Sequence, residues 1–221
     1  TDELETLRWE NERLDTAWGE ENFYSRQVTN SREILSHPRA QDQSVAKSQI
    51  GQFAASLIEK GEVIFLGTGS TTAIFAQFLP ANLDLTVITP SLPHASVLAS
   101  RGIKVISTGG LIATADLAQT GVIAQDVLTR FFATRAVIGS GGVSKSGGLS
   151  EFDQVVADLN RVMIERSEET VVLVDPSKIG VTAPYRVAGI EVVEEFITSD
   201  SGRALFRKEL GAKARILTPK S

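Results

Sequence analysis

From Ser44 onward, hydrophobic and polar positions follow two alternating rhythms. Ile50, Phe53, Ala54, Leu57 and Ile58 recur at helical spacing, which predicts a helix capped by Ser44, running through Glu59 and ended by Gly61. Val63-Ile64-Phe65-Leu66 is wholly apolar, the pattern of a short strand covered on both faces. The rhythm repeats with a helix over Thr71–Leu79 stopped by Pro80, a strand over Leu85–Ile88, a helix from the cap Ser91 to Ser100, and a strand over Ile103–Ile106. Further on, Val122–Phe131 and Asp153–Ser167 read as helices, and Arg135–Ile138, Val171–Val174 and Phe196-Ile197 as strands. Gly139–Gly148, with five glycines, reads as a loop. The β-α-β-α order predicts an α/β domain with a mostly parallel sheet flanked by helices.

The first 43 residues have a different texture. They hold both tryptophans, Trp9 and Trp18, with Phe23 and Tyr24 among many charges. Residues 3–14 fit one amphipathic helix with Leu4, Leu7 and Leu14 on one side. The next stretch reads as a polar connector in which His37-Pro38 stops any helix. The expected organisation is a short N-terminal helical segment and linker over 1–43 and a main domain over 44–221.

Composition narrows the function classes. At 42% hydrophobic and 22% charged, the chain is an ordinary globular sequence. It has no cysteine, which excludes disulfides and thiolate metal sites and fits a reducing cytoplasm. No apolar run approaches the roughly 20 residues of a membrane span, and the charged N-terminus is unlike a signal peptide. The expected location is therefore cytoplasmic. A net charge of −5 gives no bulk attraction to nucleic acid, so any contact with DNA must come from another segment.

In open α/β sheets, ligands bind beyond the carboxyl ends of the strands. The unusual residues of this chain fall there. Gly67-Thr68-Gly69-Ser70-Thr71-Thr72 follows the first strand and opens a helix. Glycines let backbone N–H groups approach a ligand, a helix N-terminus favours an anion, and Ser70, Thr71 and Thr72 add hydroxyls. The loop lacks the Lys of a Walker motif and the third Gly of a dinucleotide fingerprint. Ser91, Gly109, Gly110, Gly139 and Gly141 lie at other strand ends, and Lys178 in Asp175-Pro176-Ser177-Lys178 supplies a fixed cation. These residues are the candidate ligand site. No catalytic, metal or cofactor set stands out: His37 and His94 lack metal spacing, Glu168-Glu169 and Glu194-Glu195 read as solvated charges, and Phe131-Phe132 as core.

In order, the motifs resemble the C-terminal sensor domain of DeoR-type bacterial regulators. The family's D-S-G-T-T-T-like loop corresponds to Gly67–Thr72, its T-N-S-L-P segment to Thr89-Pro90-Ser91-Leu92-Pro93, and its Gly-Gly strand end to Gly109-Gly110. Its F-x-A-D-K-A-F-L-G-A-D-G-I-S run corresponds to Phe131–Ser144, K-R-A-M-I to Asn160–Ile164, D-S-S-K-F-G to Asp175–Gly180, and I-T-D to Ile197–Asp200. The resemblance spans about residues 44–200. It implies a ribose-5-phosphate-isomerase-like fold, homo-oligomerisation, and control of DNA binding by a sugar phosphate or related metabolite. It also implies a winged helix-turn-helix. Such a module needs about three helices, so it is expected to be absent or truncated here, with DNA contact made only through it.

Departures from the pattern accompany the matches. The acidic residue of G-A-D-G is Gly141 here, the helix Lys is Asn160, the acidic pair before it is Val155-Val156, and the Asn of T-N-S is Pro90. The anion-binding half is thus expected to survive while sugar selectivity has changed. Two alternatives stay open. A ribose-5-phosphate isomerase has a G-T-G-S-T loop like Gly67–Thr71, but its D-G-A-D-E pattern is missing from Gly139–Val143. A degenerate sensor acting as an oligomerisation module is the other.

Overall fold

The computed structural model describes residues 38–113, 116–211 and 215–219, with side chains from Ser44 onward. The helix expected within residues 3–14 lies outside the described residues. The elements run α1 (Pro38–Ser56), β1 (Val63–Leu66), α2 (Ser70–Phe78), β2 (Thr86–Thr89), α3 (Leu92–Ser100), β3 (Lys104–Ser107), β4 (Leu111–Ile112), β5 (Gln119–Thr120), α4 (Gly121–Thr129), β6 (Ala133–Ile138), β7 (Gly142–Ser144), β8 (Gly148–Glu151), α5 (Gln154–Glu165), β9 (Ser167–Leu173), β10 (Tyr185–Ala188), β11 (Glu195–Ile197), α6 (Asp200–Leu210) and β12 (Ile216–Leu217).

Seven strands form one sheet in the order β12-β11-β9-β6-β1-β2-β3. Every pairing in it is parallel. The apolar run of β1 divides between two cores, as its pleat demands. Ile64 and Leu66 point into a cluster with Ile50 and Ile58 of the α1 region, Phe75 of α2 and Leu98 of α3. Phe65 points into a second cluster with Leu128 of α4, Leu159 and Met163 of α5, and Phe206 of α6. Helices therefore cover both faces, which explains why the strands read as continuous hydrophobic runs rather than as alternation.

At the amino-terminal end of the sheet, Arg135 fastens neighbouring elements. It pairs with Glu169 of β9 at 3.0 Å and with Glu62, just before β1, at 3.7 Å, and donates to the Leu57 carbonyl.

Some expectations need correction. The helix expected from Ser44 begins at Pro38 and ends at Ser56. Proline is tolerated in the first turn, where its missing N–H has no intrahelical partner to lose, so Pro38 marks a start and not a stop. The glycine-rich stretch is not all loop. It holds β7 and the first residue of β8, which join β10 in a separate antiparallel sheet. Phe132 is not core: it is 70% exposed, with the Arg166 guanidinium 4.0 Å from its ring centroid. Of the glutamate pairs, Glu169 and Glu195 hold arginines and Glu194 accepts the Thr170 N–H. Helix α6 was not anticipated. Ser199 caps it, Asp200 lies in its first turn and Arg207 and Lys208 in its last, all favourable to its dipole. Phe206 anchors it against Phe196, 5.0 Å between ring centroids.

No helix among the described residues is long and apolar enough to cross a membrane. Among those residues there is also no group of three or more His, Asp or Glu arranged to hold a metal ion.

Candidate functional site

The loops after β1 and β6, two strands paired at the centre of the sheet, meet beyond its carboxyl end. Gly67 leaves β1 with its N–H donated to the Val137 carbonyl at 2.9 Å. A Cβ at Gly67 would stand 3.2 Å from Ile138 Cγ2 and 3.4 Å from Asn160 Oδ1, a tight fit in which those side chains would have to give way by a few tenths of an ångström. Gly139 faces the other way: a Cβ there would lie 3.6 Å from the Thr68 carbonyl oxygen.

Gly69 forms the N-cap of α2 with φ 122° and ψ 166°, a conformation open essentially to glycine alone, and it offers no side-chain cap. The first-turn amides of Ser70, Thr71 and Thr72 have no intrahelical acceptor, as at any helix start. By contrast α3, α5 and α6 are capped by Ser91, Asp153 and Ser199. The α2 terminus therefore presents donors and the positive end of a helix dipole. Ser70 is exposed and Thr68 half-buried, whereas Thr71 and Thr72 are buried. The Thr72 hydroxyl donates to the Gly69 carbonyl at 2.9 Å, so Thr72 braces the turn.

His94 lies beneath this turn. Only 3% exposed, its ring rests against the backbone of Gly67 and Gly69, and Nδ1 has no hydrogen-bond partner among the described residues. Burial lowers its pKa to about 4, against the opposing effect of those backbone contacts, so the ring is neutral at pH 7. Ser91 holds α3 in this place: its hydroxyl accepts the His94 N–H at 3.3 Å.

Across from the turn stands a carboxyl that the sequence reading did not single out. Glu151 ends β8, and its Oε2 would be 2.8 Å from a Cβ at Gly141. Burial pushes its pKa up to about 7; the Gly141 N–H, the Lys178 charge and the Phe152 N–H oppose the rise and Asp153 adds to it. Asn160, buried on α5, donates from Nδ2 to Glu151 Oε1 at 3.5 Å. Lys178 sits in a short turn capped by Asp175, half-buried, with Nζ 5.7 Å from the centroid of the Phe152 ring.

The structure thus brings together Gly67, Thr68, Gly69, Ser70, Thr71, Thr72, Gly139, Gly141 and Lys178, with Ser91 one layer below. Gly109 and Gly110 follow β3 and turn the chain. Both have positive φ, and the Gly109 N–H donates to Gln119 Oε1 at 3.0 Å, turning the chain into the β4–β5 hairpin. The polar groups thought lost opposite the turn are partly restored by Glu151 and Asn160. Reading 139–148 as a loop hid the strand that delivers Glu151. The usable signal was the acidic residue at 151, two positions before the helix cap Asp153.

Residues 42–200 match the model of the DeoR C terminal sensor domain. The chain belongs to that family. A Bacillus subtilis protein named "Uncharacterized HTH-type transcriptional regulator YulB" is 33% identical over 72% of this chain and 61% of its own length. The "L-fucose operon activator" of Haemophilus influenzae is 30% identical over 72% of this chain and 64% of its own. The "Glycerol-3-phosphate regulon repressor" of Escherichia coli is 28% identical over 73% of this chain and 65% of its own. The chain thus matches somewhat less than two thirds of the length of each of these relatives. Among solved structures, the tetrameric eIF2B-beta2-delta2 complex from C. thermophilum superposes with a TM-score of 0.53, at 17% identity over 81% of this chain and 61% of that one. Ribose 5-phosphate isomerase A from Methanocaldococcus jannaschii gives 0.46, at 23% identity over 62% and 54%.

Proposed function

We propose that this chain is the effector-sensing domain of a cytoplasmic transcription regulator. In this reading it binds a phosphorylated sugar or related metabolite at the Gly67–Thr72 turn, and binding there controls the DNA affinity of the longer regulator through a helix-turn-helix module. The observation that carries the proposal is the uncapped start of α2, where Gly69 supplies no side chain and the loop after β6 approaches at Gly139, whose Cβ would lie 3.6 Å from the Thr68 carbonyl oxygen. The relatives' names, an L-fucose operon activator and a glycerol-3-phosphate regulon repressor, supply the ligand class and the regulatory role. In such regulators an effector acts by its differential affinity for two states of the assembly. A homo-oligomer fits that use.

The test is a thermal-shift series with sulfate, inorganic phosphate, sugar phosphates and the matching free sugars. Any ligand that binds only the folded chain raises Tm in proportion to ln(1 + [L]/Kd). Phosphorylated members are expected to stabilise and free sugars to do little. A uniform lack of stabilisation would overturn the proposal and favour a degenerate, ligandless module.

One observation favours a second reading. Glu151, titrating near neutrality beside the cradle, is the kind of carboxyl that a proton transfer between neighbouring sugar carbons requires. The regulatory reading stays first because the sequence relatives are named as regulators. A spectroscopic ribulose 5-phosphate assay separates the two: turnover abolished in Glu151→Gln would establish an isomerase.

A further inference from the structure

Gly141 and Glu151 are complementary. The loop after β6 carries no side chain at 141, and the space is taken by a carboxyl from β8, with Oε2 2.8 Å from where a Cβ would stand and the Phe152 ring edge at 3.0 Å. In the motif that Phe131–Ser144 resembles, the acidic residue belongs to the β6 loop. Here the β6 loop is neutral and the acid comes from the neighbouring antiparallel sheet. Asn160 ties that acid to the anion turn. Its Nδ2 reaches Glu151 Oε1 at 3.5 Å while its Oδ1 lies against Gly67. One buried side chain therefore touches both walls of the site.

Building on the effector reading above, we propose that Glu151 sets ligand specificity, its carboxyl taking the hydroxyl-bearing end of a ligand whose single phosphate rests on the Gly67–Thr72 turn. A carboxylate offers about four acceptor positions. The N–H groups of Gly141 and Phe152 and the amide of Asn160 account for three, leaving room for a ligand hydroxyl. Lys178 is the cation that acts on Glu151, and Asp153 nearby is acidic. A ligand that placed a second anion against Glu151 would meet a like charge in a partly desolvated place, a penalty far larger than in open water. The cradle therefore takes monophosphorylated polyols or sugars and rejects phosphorylated acids.

Calorimetric titration of the 221-residue chain tests this with two matched pairs: glycerol 3-phosphate against 3-phosphoglycerate, and glucose 6-phosphate against 6-phosphogluconate. In each pair the phosphate is constant and a neutral oxygen group is exchanged for a carboxylate. In at least one pair the wild-type chain is expected to prefer the neutral member by roughly tenfold or more. Glu151→Gln should shrink that preference to within about threefold, and Glu151→Asp, which keeps the charge, should retain its direction; Asp also serves as the second variant should Gln not fold. Equal preference in the wild type, or a preference that Glu151→Gln leaves unchanged, overturns the assignment of Glu151 while leaving the effector reading intact. Binding of no phosphate by wild type and variants alike overturns the effector reading, and the role of Glu151 falls with it.

Discussion

Asn160 contacts Glu151 across the site, Nδ2 to Oε1 at 3.5 Å, from a buried position on α5. Asn160→Leu keeps the volume and removes the amide. Its expected cost is about 1 kcal/mol, the usual worth of one such hydrogen bond, together with weaker binding of glycerol 3-phosphate. Urea unfolding and calorimetry measure the two, and an unchanged affinity would detach Asn160 from the ligand.

Gly69→Ala tests backbone geometry in isolation. The nearest atom to an added Cβ is Thr72 Oγ1 at 3.7 Å, so there is space, but φ 122° with ψ 166° is closed to L side chains. The expected loss is about 1–3 kcal/mol, with stabilisation by sulfate abolished. A variant as stable as wild type that still binds sulfate would show that the turn does not need this conformation.

Glu151 gives stability a pH dependence of known sign. Its folded pKa, about 7, lies above the ordinary 4.5, so the folded state holds the proton more tightly. That contribution is complete below pH 4.5, falls away from 4.5 to 7, and stays lost above. Discounted for its partial exposure to solvent, the change is about 1–2 kcal/mol. The difference in Tm between wild type and Glu151→Gln, followed from pH 4.5 to 8, should drift against the wild type by a few degrees. A constant difference would mean that Glu151 titrates as a solvated acid.

His94 has the opposite sign. Its folded pKa, about 4, lies below the ordinary 6.5, so its contribution is full above pH 6.5 and lost as pH falls toward 4. At the lower end the loss is about 3 kcal/mol. His94→Gln should flatten the stability profile between those values, as measured by chemical unfolding at closely spaced pH. A profile as steep as wild type would place the acid sensitivity elsewhere.

The parallel frame was legible because both faces of its strands are covered. Val63–Leu66 and Val171–Val174 read as strands from apolar character alone, and both positions carry strands. The turn after β1 was legible because glycine and hydroxyl residues between an apolar run and a helical pattern mark a strand-to-helix turn. The small antiparallel sheet was not. β7 and β8 are short and rich in glycine and serine, so their pairing rests on tertiary placement rather than local preference. Glu151 was hidden with them, and nothing in spacing alone reveals that its carboxyl reaches position 141, ten residues earlier. In the sequence His94 stood out only as a histidine without metal spacing; its burial follows from Ser91, which fixes the start of α3 under the turn.

Arg135 joins Glu62, Glu169 and the Leu57 carbonyl at the end of the sheet remote from Gly67 and Gly139. Fastening and the proposed recognition turn therefore lie at opposite poles of the same strands. A lineage built on this plan can rewrite the loops at one pole, and with them the metabolite to which it listens, while the buckle at the other keeps the strands in register.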